Sequence, residues 1–334
     1  FNDVLLLPGW TTLEPNDTDV MSRVTKNIKL NIPLIASPMD TVTEAEMAIA
    51  LAREGALGVL HRNCSAKEEV EMARRVKRAE AVIIRDVVTV SPDSTVAELL
   101  KQMEDHNIKG FPVVDGESKL QGIVTWRDVR LAEHELLIRD VMTENVITGN
   151  EDTDLEQAMK ILHDHRIEKL PIVDKDGRVQ GLITMKDITL KGKFQEAVRD
   201  EEGRLICAAA ISPFDLPRAK AIDRYVDILV LDVSHFHNKN CFEAAKVIIK
   251  EVDAEVSVGN IGTYQAAEDI ITQLDGVAGL RVGLGSGSIC STSVVTRAGA
   301  PTMFATSQVA DAVKDYEVDI PIIADGGMRN PGDV

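Results

Sequence analysis

The stretch Gly279-Leu280-Arg281-Val282-Gly283, followed after Leu284 by Gly285-Ser286-Gly287-Ser288-Ile289-Cys290-Ser291-Thr292, sets an apolar strand before a glycine loop that ends on a cysteine. Glycines let backbone N–H groups come close to a phosphate, and a thiol held among such donors ionises and attacks carbon. Taken alone, the loop reads more simply as a turn with an incidental thiol, so the surrounding pattern has to decide. Six further short apolar strands end in polar or glycine tips: Ile32 to Ala36, Leu57 to His61, Leu205 to Ile211, Ile228 to Leu231, Glu255 to Val258 and Ile320 to Ala324. Amphipathic stretches separate most of them, at Glu44 to Glu54, Cys241 to Val252, Gln265 to Gln273 and Ser307 to Tyr316. Apolar strands alternating with helices predict a parallel sheet buried on both faces. Seven such strands fit a (β/α)8 TIM barrel lacking its last unit, with chemistry at the C-terminal rim. A doubly wound open sheet is the alternative, but it would gather its functional tips at one switch point.

The middle of the chain breaks this rhythm with an internal repeat. His106-Asn107-Ile108-Lys109-Gly110-Phe111-Pro112-Val113-Val114-Asp115 matches His165-Arg166-Ile167-Glu168-Lys169-Leu170-Pro171-Ile172-Val173-Asp174, and Gly122 to Asp128 matches Gly181 to Asp187, at a constant offset of 59 residues. Two copies make a tandem module and not a solenoid. The expected organisation is therefore a first barrel part over 1–80, the module over 81–192 with copies at 83–130 and 137–190, and a second barrel part over 193–334. The repeats resemble a pair of CBS motifs. That resemblance implies an adenine or guanine nucleotide held by the closing Thr-x-x-Asp of each copy, Thr125 with Asp128 and Thr184 with Asp187. A carboxylate can take two ribose hydroxyls and a threonine hydroxyl a phosphate oxygen, although both aspartates could equally cap the helices that follow.

Composition narrows the functional classes. The 334 residues exceed one ordinary domain, and a 44% hydrophobic fraction supplies a large core. The formal charge of −17, from 37 Lys and Arg against 54 Asp and Glu, argues against a chain that coats nucleic acid or anionic lipid. The four cysteines Cys64, Cys207, Cys241 and Cys290 are widely spaced, with no CxxC pair and no zinc-finger histidines. They read as reduced thiols, and a cytoplasmic protein is expected. No stretch approaches the apolar length of a membrane span and no signal peptide is visible. The start at Phe1 and the stop at Val334 are those expected of a piece of a longer protein.

Outside the repeat, Phe1-Asn2-Asp3-Val4-Leu5-Leu6-Leu7-Pro8, Ser37-Pro38-Met39-Asp40-Thr41-Val42-Thr43-Glu44, Val258-Gly259-Asn260, the Gly279 to Thr292 stretch and Ala324-Asp325-Gly326-Gly327 resemble the inosine-5′-monophosphate (IMP) dehydrogenase family, which in its wider sense includes guanosine monophosphate (GMP) reductase. The resemblance implies that Cys290 adds to C2 of the purine, that a hydride passes to NAD, and that the adduct is hydrolysed to xanthosine monophosphate with Thr292 beside it. It further implies contacts to the nucleotide from Ser37, Met39, Asn260 and Arg281, a phosphate cradle from Ser288, the Gly285 to Gly287 backbone, Gly326 and Gly327, and ribose binding by Asp325. Unpaired burial of Arg281 in a parallel strand would be costly, which favours an anionic or carbonyl partner. For the dinucleotide it implies Asp232, with Ser234 in the same loop and Gly283 allowing close approach. A GxGxxG fingerprint is absent, so NAD is not expected to bind in the Rossmann manner. A monovalent cation, K+, is implied on the backbone carbonyls of Gly285, Gly287 and Cys290, and a homotetramer is implied, with octamers paired through the CBS modules allowed.

Three positions depart from the family pattern: Ser293 where arginine or glutamine is common, Phe236 in the Asp232 loop, and Ala278 before the Arg281 strand. Phe236 is expected to crowd the nicotinamide subsite. The eighth strand and the mobile flap that activates water are expected beyond Val334, so a chain ending there should form the adduct without hydrolysing it efficiently. Two other functions stay open at this point: NADPH-dependent GMP reductase, and a purine-nucleotide sensor that has lost catalysis.

Overall fold

The computed structural model describes Leu5 and residues 7–79, 83–85, 87–150 and 152–334, with the side chains of residues 155, 187 and 190–192 excepted. The opening Phe1 to Val4 and Leu6 lie outside the described residues. In chain order the elements are β1 (Ser22–Arg23), β2 (Lys29–Leu30), β3 (Ile35–Ala36), α1 (Ala45–Arg53), β4 (Leu57–Leu60) and α2 (Ala66–Arg78). Then come α3 (Val96–His106), β5 (Gly110–Val114), β6 (Leu120–Thr125), α4 (Trp126–Val129), α5 (Ile138–Val141), β7 (Gly149–Asn150), α6 (Leu155–Asp164), β8 (Lys169–Val173), β9 (Val179–Thr184) and α7 (Met185–Lys193). The rest of the chain supplies β10 (Ala208–Ile211), α8 (Leu216–Ile222), β11 (Ile228–Asp232), α9 (Lys239–Glu251), β12 (Glu255–Ile261), α10 (Tyr264–Gln273), β13 (Val277–Val282), α11 (Thr292–Thr296), α12 (Thr302–Asp315) and β14 (Ile322–Ala324). Contacts group residues 1–79 with 194–334 as one compact unit and 80–193 as another. Among the described residues no helix is long and apolar enough to cross a membrane.

In the smaller unit the repeat is a structural one. The hairpins β5–β6 and β8–β9 share one register, Gly110 opposite Thr125 and Lys169 opposite Thr184, at the same offset of 59 residues as the sequence repeat. Asp115 and Asp174 close their turns in the same way. Each carboxylate accepts two backbone N–H groups and a glutamine amide, from Gln121 or Gln180, which holds both below the usual aspartate range.

The larger unit is built on one seven-stranded sheet, ordered β3-β4-β10-β11-β12-β13-β14, with every neighbouring pair parallel. The order follows the chain without reversal, so the sheet has no switch point and the doubly wound alternative does not hold. It curls: Ser37, just past β3 at one edge, donates to Asp325, just past β14 at the other, at 3.2 Å.

Strand alternation sorts the side chains onto two faces. Leu60, Ala209, Ile211, Leu229, Leu231, Val256, Val258, Leu280 and Val282 join the main core beneath the helices. Leu57, Val59, Ala208, Ala210, Ile228 and Val230 form a second core on the concave face, with Ile35 and Ile323 against it. The β1–β2 hairpin seals the N-terminal end of that concave face. Its Val24 and Leu30 are buried there, Lys26 N–H donates to the Ala278 carbonyl at 3.1 Å, and Asn27 donates to Glu255 at 2.8 Å. A cavity of about 820 Å³ runs up the concave face past Ser257 to Arg281, Asp325 and Gly326. Closure at one end thus directs access to the C-terminal tips of the strands.

Candidate active site

The alternation that puts Ile228 and Val230 inside also puts Asp232 inside, and it does the same for Arg281 between Leu280 and Val282 and for Asp325 after Ile323. These three side chains meet at the rim. Arg281 Nη1 lies 2.5 Å from Asp232 Oδ1, and Nη2 lies 3.1 Å from Asp325 Oδ2. This is the anionic partner that the position of Arg281 demanded, and a guanidinium suits it because its fork reaches two carboxylates at once. Asn260 Nδ2 donates to Asp325 Oδ2 at 2.7 Å and to the Gly283 carbonyl at 2.8 Å. Ser37 donates to the other oxygen of Asp325.

Two glycines let the late strands close up. A Cβ on Gly283 would stand 2.2 Å from the Asp325 carbonyl oxygen, so no side chain fits there. Gly326 has φ +80°, and a Cβ would stand 3.0 Å from the Gly287 nitrogen. The glycine loop after β13 and the Gly326-Gly327 turn after β14 therefore pack directly against each other. Hydroxyls pin this arrangement: Ser286 donates to the Asp325 carbonyl at 3.0 Å, buried Thr302 to the Gly326 carbonyl at 2.9 Å, and Ser293 to the Gly285 carbonyl at 3.1 Å.

Cys290 follows the glycines, half-buried, with its N–H donated to the Gly287 carbonyl at 3.0 Å. Hydrogen bonds from the hydroxyl and the backbone N–H of Thr292, the first residue of α11, hold its thiol below the ordinary cysteine range. Burial and, more weakly, the charge of Asp325 oppose this. The other buried or half-buried thiols differ. Burial pushes Cys64, Cys207 and Cys241 upward, so the low-pKa thiol is the one on the glycine loop.

Ser37, Asn260, Arg281, Gly283, Asp325 and Gly326 thus converge, with Asp232 joined through Arg281. Met39 and Ser288 stand more exposed on their loops, and Ser234 is exposed two residues beyond Asp232. Phe236 does not crowd the site, because it is fully buried in the outer core against Phe242 at 5.7 Å between ring centres. Ala278 sits at the sealed N-terminal end of β13, and Ser293 ties the cysteine loop together, so none of the three departures disturbs the rim. The Gly285 and Gly287 carbonyls each accept one internal hydrogen bond and keep a second lone pair, so both fit a cation ligand set.

Sequence reasoning missed Arg62, Ser286 and Thr302. Arg62 follows the β4 tip and donates from Nη2 to the Asp232 carbonyl at 3.3 Å, with Nε 3.8 Å from Asp232 Oδ2. Its position directly after a predicted strand was the available signal. Nearby, the ligand atoms of Asp40, Glu44 and His61 lie within 4.8 Å of one another. His61 Nδ1 accepts the Asn63 N–H at 3.2 Å, and Nε2 faces Asp40 and Glu44 at 3.7 and 3.8 Å.

In the smaller unit a cavity of about 470 Å³ is lined by Thr125, Trp126, Lys109, Arg127, Arg166 and Lys169, among others. Asp128 accepts from the Thr125 N–H and hydroxyl, both at 2.7 Å, so it caps α4 in this structure. Thr184 ends β9 at the equivalent place, and the side chain of Asp187 lies outside the described residues.

Residues 1–334 match the family described as IMP dehydrogenase / GMP reductase domain. The chain belongs to this family. It is 54% identical over its whole length to the inosine-5′-monophosphate dehydrogenase of Korarchaeum cryptofilum, spanning 70% of that protein, and 48% identical to that of Thermoplasma acidophilum, spanning 68%. Among solved structures it resembles GMP reductase from Trypanosoma brucei in complex with guanosine 5′-triphosphate. There the TM-score is 0.88 at 33% identity, over 99% of this chain and 81% of the other. Membership in the IMP dehydrogenase / GMP reductase family agrees with a curled parallel sheet whose chemistry sits at the strand tips.

Proposed function

We propose that this chain carries the catalytic site of an NAD-dependent IMP dehydrogenase, oxidising IMP to xanthosine 5′-monophosphate on the route to guanine nucleotides. The observation that carries the reading is the low-pKa thiol of Cys290 on a glycine loop that touches Gly326 and approaches Asp325. The touching loops would hold the 5′-phosphate through Gly287, Ser288, Gly326 and Gly327, and Asp325 would take the ribose hydroxyls, with Ser37 and Asn260 fixing the carboxylate. Met39 would lie along the nucleotide from the loop after β3. The Cys290 thiolate forms a carbon–sulfur bond to C2. NAD, when bound, accepts the hydride that leaves C2. Asp232 would receive the nicotinamide ribose, aided by Ser234 and by the side-chain-free backbone at Gly283, which allows close approach. Water then breaks the carbon–sulfur bond, giving product, free thiolate and a proton, with Thr292 adjacent to the adduct. Arg281 holds Asp232 and Asp325 at once and so sets the spacing of the nucleotide and dinucleotide loops.

The greater identity to proteins named IMP dehydrogenase favours this reading over GMP reductase. Mixing the protein with IMP and NAD, and separately with GMP and NADPH, and following the absorbance of the reduced nicotinamide distinguishes them. Reduced cofactor should form in the first mixture, and its consumption in the second alone would reject the proposal.

The fold is further proposed as a (β/α)8 barrel carrying an inserted CBS pair over 81–192. That pair would bind an adenine or guanine nucleotide in the cavity beside Thr125 and Trp126, where an aromatic ring and four cationic side chains suit a base and its phosphates. Thr125 with Asp128 and Thr184 with Asp187 would be its contacts. K+ on the Gly285, Gly287 and Cys290 carbonyls would order the cysteine loop, and a cytoplasmic homotetramer would cover the exposed Ile289, Val294 and Val295 beside it.

A further inference from the structure

Beneath the rim, on the helix side of the sheet, one arginine organises a loop that the reaction scheme does not use. Arg218 of α8 donates from Nη1 to Glu69 Oε2 at 2.7 Å and to the Arg62 carbonyl at 3.0 Å, and from Nη2 to the Cys64 carbonyl at 2.8 Å. Its Nε donates to Asp215 at 3.2 Å. Glu69 is fully buried, and its other carboxylate oxygen has no hydrogen-bond partner. A charged pair in such a place is an expensive way to join two helices. Here the guanidinium also reaches two carbonyls of the 61–64 loop, those of Arg62 and Cys64 on either side of Asn63.

That loop stands between the two ligand loops. Asn63 donates to Asp40 at 2.6 Å, in the segment that carries Ser37 and Met39. Arg62 turns the other way and places its guanidinium on Asp232, opposite the Arg281 contact. We propose that Arg218 is a positioning residue for the dinucleotide subsite: by gripping the Arg62 and Cys64 carbonyls it sets Arg62 against Asp232, and so orients the carboxylate that receives the nicotinamide ribose. The inference rests on the proposed dinucleotide role of Asp232. A lysine could neutralise Glu69, but as a point charge it cannot span the carboxylate and both carbonyls.

The test uses the full-length protein in single-turnover formation of reduced cofactor from saturating IMP, with NAD varied, and then from saturating NAD with IMP varied. Arg62→Ala should raise the half-saturating NAD concentration about tenfold while the half-saturating IMP concentration stays within about twofold. Arg218→Met should produce the same split. The double variant should be no worse than Arg62→Ala alone, because both act along one path. Arg218→Lys keeps the charge opposite Glu69 and serves if the methionine variant does not fold; it should show the same NAD defect. Factors that multiply in the double variant, equal losses for IMP and NAD, or normal NAD dependence in a folded Arg218→Lys would overturn the inference. A parent protein that forms no reduced cofactor from IMP and NAD would instead sink the functional reading beneath it.

Discussion

Replacing Arg281 with methionine attacks the site at its centre. The guanidinium stands between Asp232 and Asp325, so its loss leaves two carboxylates facing each other at a separation on the order of 5 Å, the span of the fork and its two hydrogen bonds. With an effective dielectric constant of about 20, their repulsion is roughly 3 kcal/mol. Water screens part of this, because the two side chains keep 26% and 19% of their surface exposed. A loss of about 2 kcal/mol in unfolding free energy is therefore expected at neutral pH. One of the two carboxylates should then hold a proton more readily than in the unfolded chain. A folded-state pKa raised in this way gives stability that is present at low pH and lost as pH rises through it, so the defect should shrink on acidification. Arg281→Lys should recover the charge but only one of the two contacts, and fall between. Urea unfolding at acid and at neutral pH measures this directly. A methionine variant within about 0.5 kcal/mol of the parent at both pH values, which is the range of an ordinary surface change, would refute the reasoning.

Three other perturbations follow from named contacts. Thr292→Val removes the hydroxyl that helps hold the Cys290 thiol low, so the pH profile of Cys290 alkylation should move to higher pH, and an unmoved profile would assign the effect to the backbone N–H alone. Gly326→Ala forces a side chain into a left-handed conformation, a strain of roughly 1–2 kcal/mol, and crowds Gly287; calorimetry should show IMP affinity falling far more than NAD affinity. Glu69 is pushed up to about 7 because burial outweighs the attraction of Arg218. The resulting stability is full below the ordinary pKa of about 4.5 and lost as pH rises through about 7, so Glu69→Gln should gain on the parent across that window by on the order of 3 kcal/mol in urea unfolding.

The sheet was legible because its strands are apolar on both faces and each tip changes abruptly to glycine or a charge. Alternation then fixed which tips point inward, and Arg281 was readable as a site residue because a buried cation needs a partner. The glycine loops were readable for a similar reason, since Gly283 and Gly326 mark places where two backbones meet. What stayed hidden was carried by contacts distant in sequence. Nothing local tells that Arg218 reaches back to the carbonyls of Arg62 and Cys64, or that Thr302 braces Gly326. Phe236 was misread for the same reason: proximity to Asp232 in sequence suggested the subsite, while the chain turns it into the outer core. The amphipathic pattern begins at Ser307, whereas α12 starts at Thr302, directly after Pro301 at its N-cap.

The central claim is that Cys290 bonds to the purine. Intact-protein mass spectrometry of the chain mixed with IMP and NAD and quenched in acid tests it most directly. A single added nucleotide, mapped by proteolysis to the peptide containing Cys290 and absent from Cys290→Ser, is the predicted result. Reduced cofactor formed at full amplitude by Cys290→Ser, or an adduct mapped to Cys64, Cys207 or Cys241, would contradict the account.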